Sequence, residues 1–251
     1  MKKKEEHRMS LAFGGQAVIE GVLMRSKNYS VVCVRREDGS MLKLTDKLNP
    51  LSNRYRILRL PFFRGIHALF QSLYVGIKAL YRSANASLKE DEKIKPHEMV
   101  VTVLIALLLG IALFAVLPFI TSQWLELKGF VFNVFEGILR LIIFLLYIVI
   151  ISLVGSFKRV LQYHGAEHTA INMFESREGL TKEEAKTRKR FHPRCGTSFI
   201  LIVLLISIFI FSIMPDLGLA INFSYRILLI PVIGGISYEI LKFSDKHKGS
   251  K

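Results

Sequence analysis

Residues Met99 to Leu125 read MVVTVLIALLLGIALFAVLPFITSQWL, 27 positions without a charge. At the helical rise this stretch is about 40 Å long. A hydrocarbon core of about 30 Å needs roughly 20 apolar residues to cross it. The stretch therefore reads as a transmembrane helix, with Trp124 suited to an interface and Pro118 kinking or ending the span. Three further spans are expected downstream. Leu141 to Phe157 is the uncharged centre of the second, which starts near Gly137. Cys195 to Pro215 is the third, and Leu217 to Tyr238, interrupted by Arg226, is the fourth. The expected fold is mostly α: a four-helix transmembrane bundle within residues 99–241, a small N-terminal β unit, an amphipathic helix and a cytoplasmic helical loop.

Composition agrees with that reading. The 251-residue chain is 51% hydrophobic and 22% charged, with a mean hydropathy of +0.36, so its apolar residues are concentrated in blocks. The net charge is +15. Such an excess suits nucleic acid or anionic lipid headgroups. No aromatic–basic interleaving of the RNA-binding kind is present, so the expected partners are the lipid bilayer and its anionic headgroups, with no nucleic acid.

Residues 1–98 carry 19 Lys and Arg, and the connection 158–194 carries nine. The short links around Lys128 and at Pro215-Asp216-Leu217-Gly218 carry almost none. By the positive-inside rule both termini and the 158–194 connection are cytoplasmic. The expected location is the inner (cytoplasmic) membrane, multi-pass, and an even number of spans is consistent with it. No apolar segment follows Met1-Lys2-Lys3-Lys4, so no cleavable signal peptide is expected. Cys33 and Cys195 lie far apart on the reducing side, which argues against a disulfide. Arg140 and Arg226 fall near the outer ends of their spans, where snorkelling accounts for them. Pairing of Arg140 with Glu136 or Glu126, and contact with a substrate, are the alternatives.

Upstream of the spans, residues 1–10 read as a disordered tail and 11–48 as the β unit. Tyr29–Arg36 is strand-like, Asp38-Gly39 signals a turn, and Met41–Thr45 alternates as the return strand. Gly15 to Met24 supplies a third strand. Residues 49–98 form a helical region, with Phe63, Ile66, Phe70, Leu73, Ile77, Leu80 and Tyr81 at helical spacing. Arg59, Arg64, Lys78 and Arg82 are interspersed, which suits a helix lying on anionic lipid or one packed on the cytoplasmic domain. A basic tail at 242–251 ends the chain.

The chemistry is concentrated in the cytoplasmic loop, 158–196. It opens with His164-Gly165-Ala166-Glu167-His168, an H-x-x-E-H pattern. On a helix continuing from the second span, His164 and His168 share a face and can reach one metal ion. Glu167 is placed to act as a base on a water molecule polarised by that ion. Alternatively the three are a solvated helix surface, and Gly165 weakens a rigid helix by about 1 kcal/mol. The loop ends with His192-Pro193-Arg194-Cys195, a second pair of good zinc ligands, although Cys195 also suits the head of an apolar span. The candidate metal set is therefore His164, His168, His192 and Cys195. Four protein ligands describe a closed structural zinc, so a catalytic site requires one of them to support rather than bind. Glu175 and Glu239 are competitors for a ligand position; Glu239 also reads as an interfacial carboxylate beside Lys242. Thr181-Lys182-Glu183-Glu184 is a capping box opening a short helix to about Arg190. The basic run after it is a membrane anchor or an anion clamp.

Three blocks, Gly14–Arg25, Tyr163–His168 and His192–Phe199, resemble the YqhQ family of bacterial membrane proteins over nearly the whole chain after residue 10. The family has no known function, although some members carry the label of metal-dependent enzyme. The resemblance draws attention to the first block, where Gly14-Gly15 suggests a turn or close approach. Glu20 in that block can reach the metal site if the β unit docks beneath the helices, or is ordinary strand surface.

The expectation is a membrane-embedded metal-dependent enzyme, with Zn2+ as its ion and a hydrolytic reaction. Its substrate would be a lipid-linked molecule or membrane peptide met at the inner leaflet. A scaffold with a structural metal is the second reading. A small transporter is the third, ranked last because the span centres look nearly free of ionisable residues.

Overall fold

The computed structural model describes residues 14–26, 28–176, 181–192, 195–215 and 218–246. The tail expected at 1–10, the middle of the turn at Asp216-Leu217 and the end of the basic tail at 247–251 lie outside them. The chain is mostly helical with a small antiparallel sheet near its N-terminus. It forms two compact units. One holds the chain up to Arg56, Phe70–Lys95 and Ser152–Cys195; the other holds Ile57–Leu69, Pro96–Ile151 and the chain from Gly196.

In the first unit, β1 (Gly14–Val18), β2 (Gly21–Arg25), β3 (Tyr29–Arg35) and β4 (Met41–Lys47) form a four-stranded sheet in sequence order. Residues 15–24 thus hold two strands rather than the single strand expected. The sequence gives no Asn-Gly or Asp-Gly signal there, because the two-residue turn Ile19-Glu20 places Glu20 at φ +52°. That left-handed conformation is uncommon outside glycine, so the turn was invisible to turn chemistry.

Strand register puts Val18, Leu23, Val32 and Val34 on one face, where they form a core with Val75 and Ala79 of α1 (Phe63–Ser87). The helix meets the sheet through small residues. A Cβ on Gly76 would lie 2.3 Å from Gln16 Oε1, and Ser83 Oγ accepts from the Ile19 amide at 3.2 Å. Asp46 holds Arg82 and Lys78 at the far end. Of the bulky stripe read from the sequence, Leu80 packs against this core, whereas Phe70 and Leu73, like their neighbour Tyr74, are 57–69% exposed.

The third segment of this unit is α4 (Gly155–Ser176), which packs on β1 and β2. Gly15 and Ala17 alternate with the core-facing Gln16 and Val18, so they belong to the opposite face of β1. The short helix α5 (Lys182–Thr187) carries the expected capping box: Thr181 Oγ1 accepts from the Glu184 amide. It stops at Thr187 rather than Arg190, and residues 188–192 continue as a strap outside helix and strand.

In the second unit, α2 (Pro96–Trp124) and α3 (Gly129–Leu153) are long and apolar enough to cross a membrane; α6 (Gly196–Ser212) is apolar but shorter. α7 (Leu219–Lys246) packs on α6. Pro118 does not end α2. It has no N–H for the Phe114 carbonyl, and the helix widens into a π turn at Ala112–Val116 before continuing. The released Phe114 carbonyl accepts from Arg140 Nε at 2.7 Å.

That bond belongs to a correction. α3 begins at Gly129, eight residues before the expected Gly137, which moves Glu136 and Arg140 into its body. Arg140 and Arg226 do not snorkel: both are buried and both pair with Glu136. The interior of this unit is therefore not free of charge, and the ranking of the transport reading loses its premise. α3 also ends at Leu153, with a break at Val154 before α4, so the H-x-x-E-H helix is a separate element rather than an extension of the second apolar helix.

Candidate metal centre

The first unit gathers three of the four expected ligands. His164 and His168 lie one turn apart on α4, with ring centroids 4.4 Å apart. Cys195 follows the strap, its Sγ 3.2 Å from His164 Nε2. One ligand atom from each of His164, His168 and Cys195 can be chosen so that all lie within 4.8 Å of one another. Pro193 and Arg194, between strap and Cys195, lie outside the described residues.

The tautomer of His168 follows from its partners. A carbonyl only accepts, so Nδ1–H donates to the Arg190 carbonyl at 2.8 Å. In the neutral ring Nε2 then carries the lone pair; it is buried and has no hydrogen-bond partner among the described residues. A backbone carbonyl fixing one ring nitrogen while the other offers a lone pair is the usual second-layer arrangement of a metal-binding histidine. Two imidazoles and a thiolate are also a donor set that suits zinc. The residues fit a metal ion.

His192 is not in this group. Its Nε2 meets Glu175 Oε2 at 3.2 Å, and its ring centroid stands 6.2 Å from that of His168. Glu175, offered as a competing ligand, is thereby engaged with His192. Glu239 belongs to the other unit, where it holds Arg64 and accepts from the Phe62 amide.

Glu167 is 4% exposed. Its Oε2 lies 3.8 Å from His168 Nε2 and 4.0 Å from His164 Nδ1. Burial pushes its carboxyl above the ordinary range, against the pull of His168 and His164. The hydrogen bond to Cys195 raises His164, against its own burial. β1 forms the wall behind Glu167: a Cβ on Gly15 would lie 2.5 Å from Glu167 Cγ and 2.6 Å from Oε1. Gly15 is there because the carboxylate occupies that space.

A scan of protein families matches residues 60–251 to the family described as "Protein of unknown function (DUF1385)". The chain is also 36% identical over 261 residues to the "Uncharacterized protein YqhQ" of Bacillus subtilis (strain 168), covering 96% of this chain and 81% of that one. The chain belongs to the DUF1385 family. No solved structure matches it. The YqhQ resemblance read from the three sequence blocks agrees with both findings, and neither description names a reaction.

In this family member, several residues that shape the centre carry no motif of their own. Asn172 Nδ2 donates to the Lys189 and Phe191 carbonyls and so lays the strap along α4. Glu20 binds Arg159 through both carboxylate oxygens and accepts from Tyr163 Oη at 3.1 Å. It ties the β1–β2 turn to the start of α4 and is not among the gathered ligands. Its one sequence signal was its place in the Gly14–Arg25 block.

Proposed function

We propose that the protein is a membrane-embedded, metal-dependent hydrolase working at the cytoplasmic surface of the inner membrane. Three protein ligands, His164, His168 and Cys195, would hold zinc and leave a coordination position open. The observation that carries this reading is the buried Nε2 of His168, without a hydrogen-bond partner among the described residues, aligned by Arg190 and grouped with the other two donor atoms. Bound zinc would supply Lewis acidity to water and substrate. Glu167 would take the proton from the attacking water at Oε2 and return it to the leaving group. His192, held by Glu175, would support the strap and the last turn of α4 rather than bind.

Four spans, α2, α3, α6 and α7, with both termini inside, are part of the proposal. The Lys and Arg distribution and the two long apolar helices support it. A lipid-linked molecule or membrane peptide is the substrate class that a centre at the inner leaflet would meet. Support for that level comes from exposed aromatic and aliphatic side chains in the same unit as the centre: Phe191, 85% exposed beside the basic strap, and Phe70, Leu73 and Tyr74. Such a mixture favours anionic lipid.

The second reading, a scaffold with a structural metal, has one observation in its favour. His192 is buried near His168 and would close the site if it exchanged Glu175 for the ion. Metal analysis of the purified full chain separates the two readings. The hydrolase reading expects about one zinc per chain, lost in His168→Ala and Cys195→Ser and retained in His192→Ala and Glu167→Gln. In the cobalt-loaded protein, added hydroxamate should change the visible spectrum by entering the open position. A wild-type chain without stoichiometric metal contradicts both readings; a metal site that ignores hydroxamate and needs His192 favours the scaffold.

A further inference from the structure

We propose that Arg190 is the substrate-recognition residue of the metal centre, and that the substrate carries an oxyanion, a phosphate or carboxylate, beside the bond that is cut. The proposal rests on the hydrolase reading above and names the class of molecule that site would take. It starts from the strap. Three successive carbonyls, those of Lys189, Arg190 and Phe191, face α4 and accept from Asn172 and His168 at 2.8–3.2 Å. The strap backbone is thereby fixed at the level of His168. From there the stem of Arg190 lies along Gly165: a Cβ on that glycine would meet Arg190 Cδ at 3.7 Å, Cβ at 3.8 Å and Cγ at 4.0 Å, ordinary packing distances. Gly165 follows His164 directly and precedes His168 by about one helical turn. The side chain therefore runs back along α4, from the level of one candidate ligand to that of the other.

Its backbone and stem are held, and its charge is not. Arg190 is exposed, and its guanidinium makes no ion pair or hydrogen bond among the described residues. Arg159, on the same helix, is by contrast closed by both carboxylate oxygens of Glu20. A guanidinium presents a planar fork of donors that matches two oxygens of a phosphate or carboxylate. With its stem packed in place, Arg190 gives up less conformational freedom on binding than a loose surface arginine. Phe191, next in the strap and 85% exposed, sets an apolar side chain beside that charge. The pair suits an oxyanion borne on a lipid.

The test uses the purified full chain in a neutral detergent, loaded with cobalt and titrated at constant ionic strength, with the visible spectrum of the cobalt as readout. Imidazole is the neutral probe; acetate, inorganic phosphate and hexyl phosphate are the anionic ones. Acetate or phosphate should change the spectrum saturably. Arg190→Met keeps the stem on Gly165 and the carbonyl on His168, so it should fold and bind cobalt and imidazole as the wild type does. The better anion should bind it about tenfold more weakly, for one lost hydrogen bond to a charged group. Arg190→Lys should recover part of that loss. Hexyl phosphate should bind more tightly than inorganic phosphate, as a lipid-borne group would; equal binding assigns a soluble anion. If Arg190→Met fails to fold, Arg190→Lys decides, with about threefold weakening for the lost fork. An anion response that is absent, or unchanged in the deciding variant, while cobalt and imidazole still bind, overturns the role of Arg190 and leaves the metal centre standing. A chain that takes up no cobalt, or whose cobalt ignores imidazole, overturns the open metal centre and this inference with it.

Discussion

The two units each bury a polar cluster in an apolar setting, and the clusters are opposite in kind. His164, His168 and Cys195 bring lone pairs together, a set that becomes favourable when a cation is added. Glu136, Arg140 and Arg226 place one carboxylate between two guanidiniums, and they already hold one another. The first cluster has little cohesion of its own. The second is a structural knot. Removing a member should therefore cost binding in the first unit and folding in the second.

The largest expected effect is at Glu136. Glu136→Leu strands two buried guanidiniums and should destabilise the protein by about 3–5 kcal/mol, read by denaturant unfolding in micelles. His168→Leu in metal-free protein loses one hydrogen bond and should cost about 1 kcal/mol. Equal costs in that pair would break the contrast. Next comes Gly15→Ala. The added methyl meets the buried Glu167 side chain, and such overpacking costs about 1–3 kcal/mol. It should also lower metal affinity, whereas Gly76→Ala, which meets Gln16 on the other face, should destabilise without touching metal.

The smallest effect is a pH dependence in the first unit. Arg82, and then Lys78, hold the Asp46 carboxyl below its ordinary value, against its burial. A depressed acid stabilises the fold above its unfolded pKa near 3.8 and loses that contribution as pH falls through the folded value. Asp46→Asn should remove that part of the acid sensitivity. At a partly exposed pair the change is under about 1 kcal/mol, measured as unfolding midpoints between pH 5 and 3. Metal should leave over a higher range of pH, because protons compete directly for imidazole and thiolate.

The same contrast explains what could be read in the sequence. The first cluster is written as a motif: H-x-x-E-H fixes two donors by helix geometry alone, and Cys195 stood out by its residue type. What separated His192 from Cys195 was not spacing but Glu175, a partner one cannot assign without the fold. The second cluster has no motif. Arg140 looked like an end-of-helix residue because α3 was started at Gly137, the edge of the uncharged run, while the helix begins at Gly129 and takes Glu136 and Arg140 inside. Pro118 was read as a kink or a stop; it does not stop the helix, because a neighbouring side chain satisfies the carbonyl it releases. In the sheet, the Asp38-Gly39 hairpin was legible from turn chemistry, and the Ile19-Glu20 turn was not, since a glutamate in a left-handed conformation gives no warning. The small-residue face of α1 was overlooked because large side chains dominate a periodicity count.

X-ray absorption at the zinc edge of the purified full chain tests the metal assignment most directly. The spectrum should fit one sulfur at about 2.3 Å and two imidazole nitrogens at about 2.0–2.1 Å, completed by one lighter atom, with the sulfur shell lost in Cys195→Ser. A shell without sulfur, a third imidazole in place of the lighter atom, or no bound metal would contradict the open three-ligand centre.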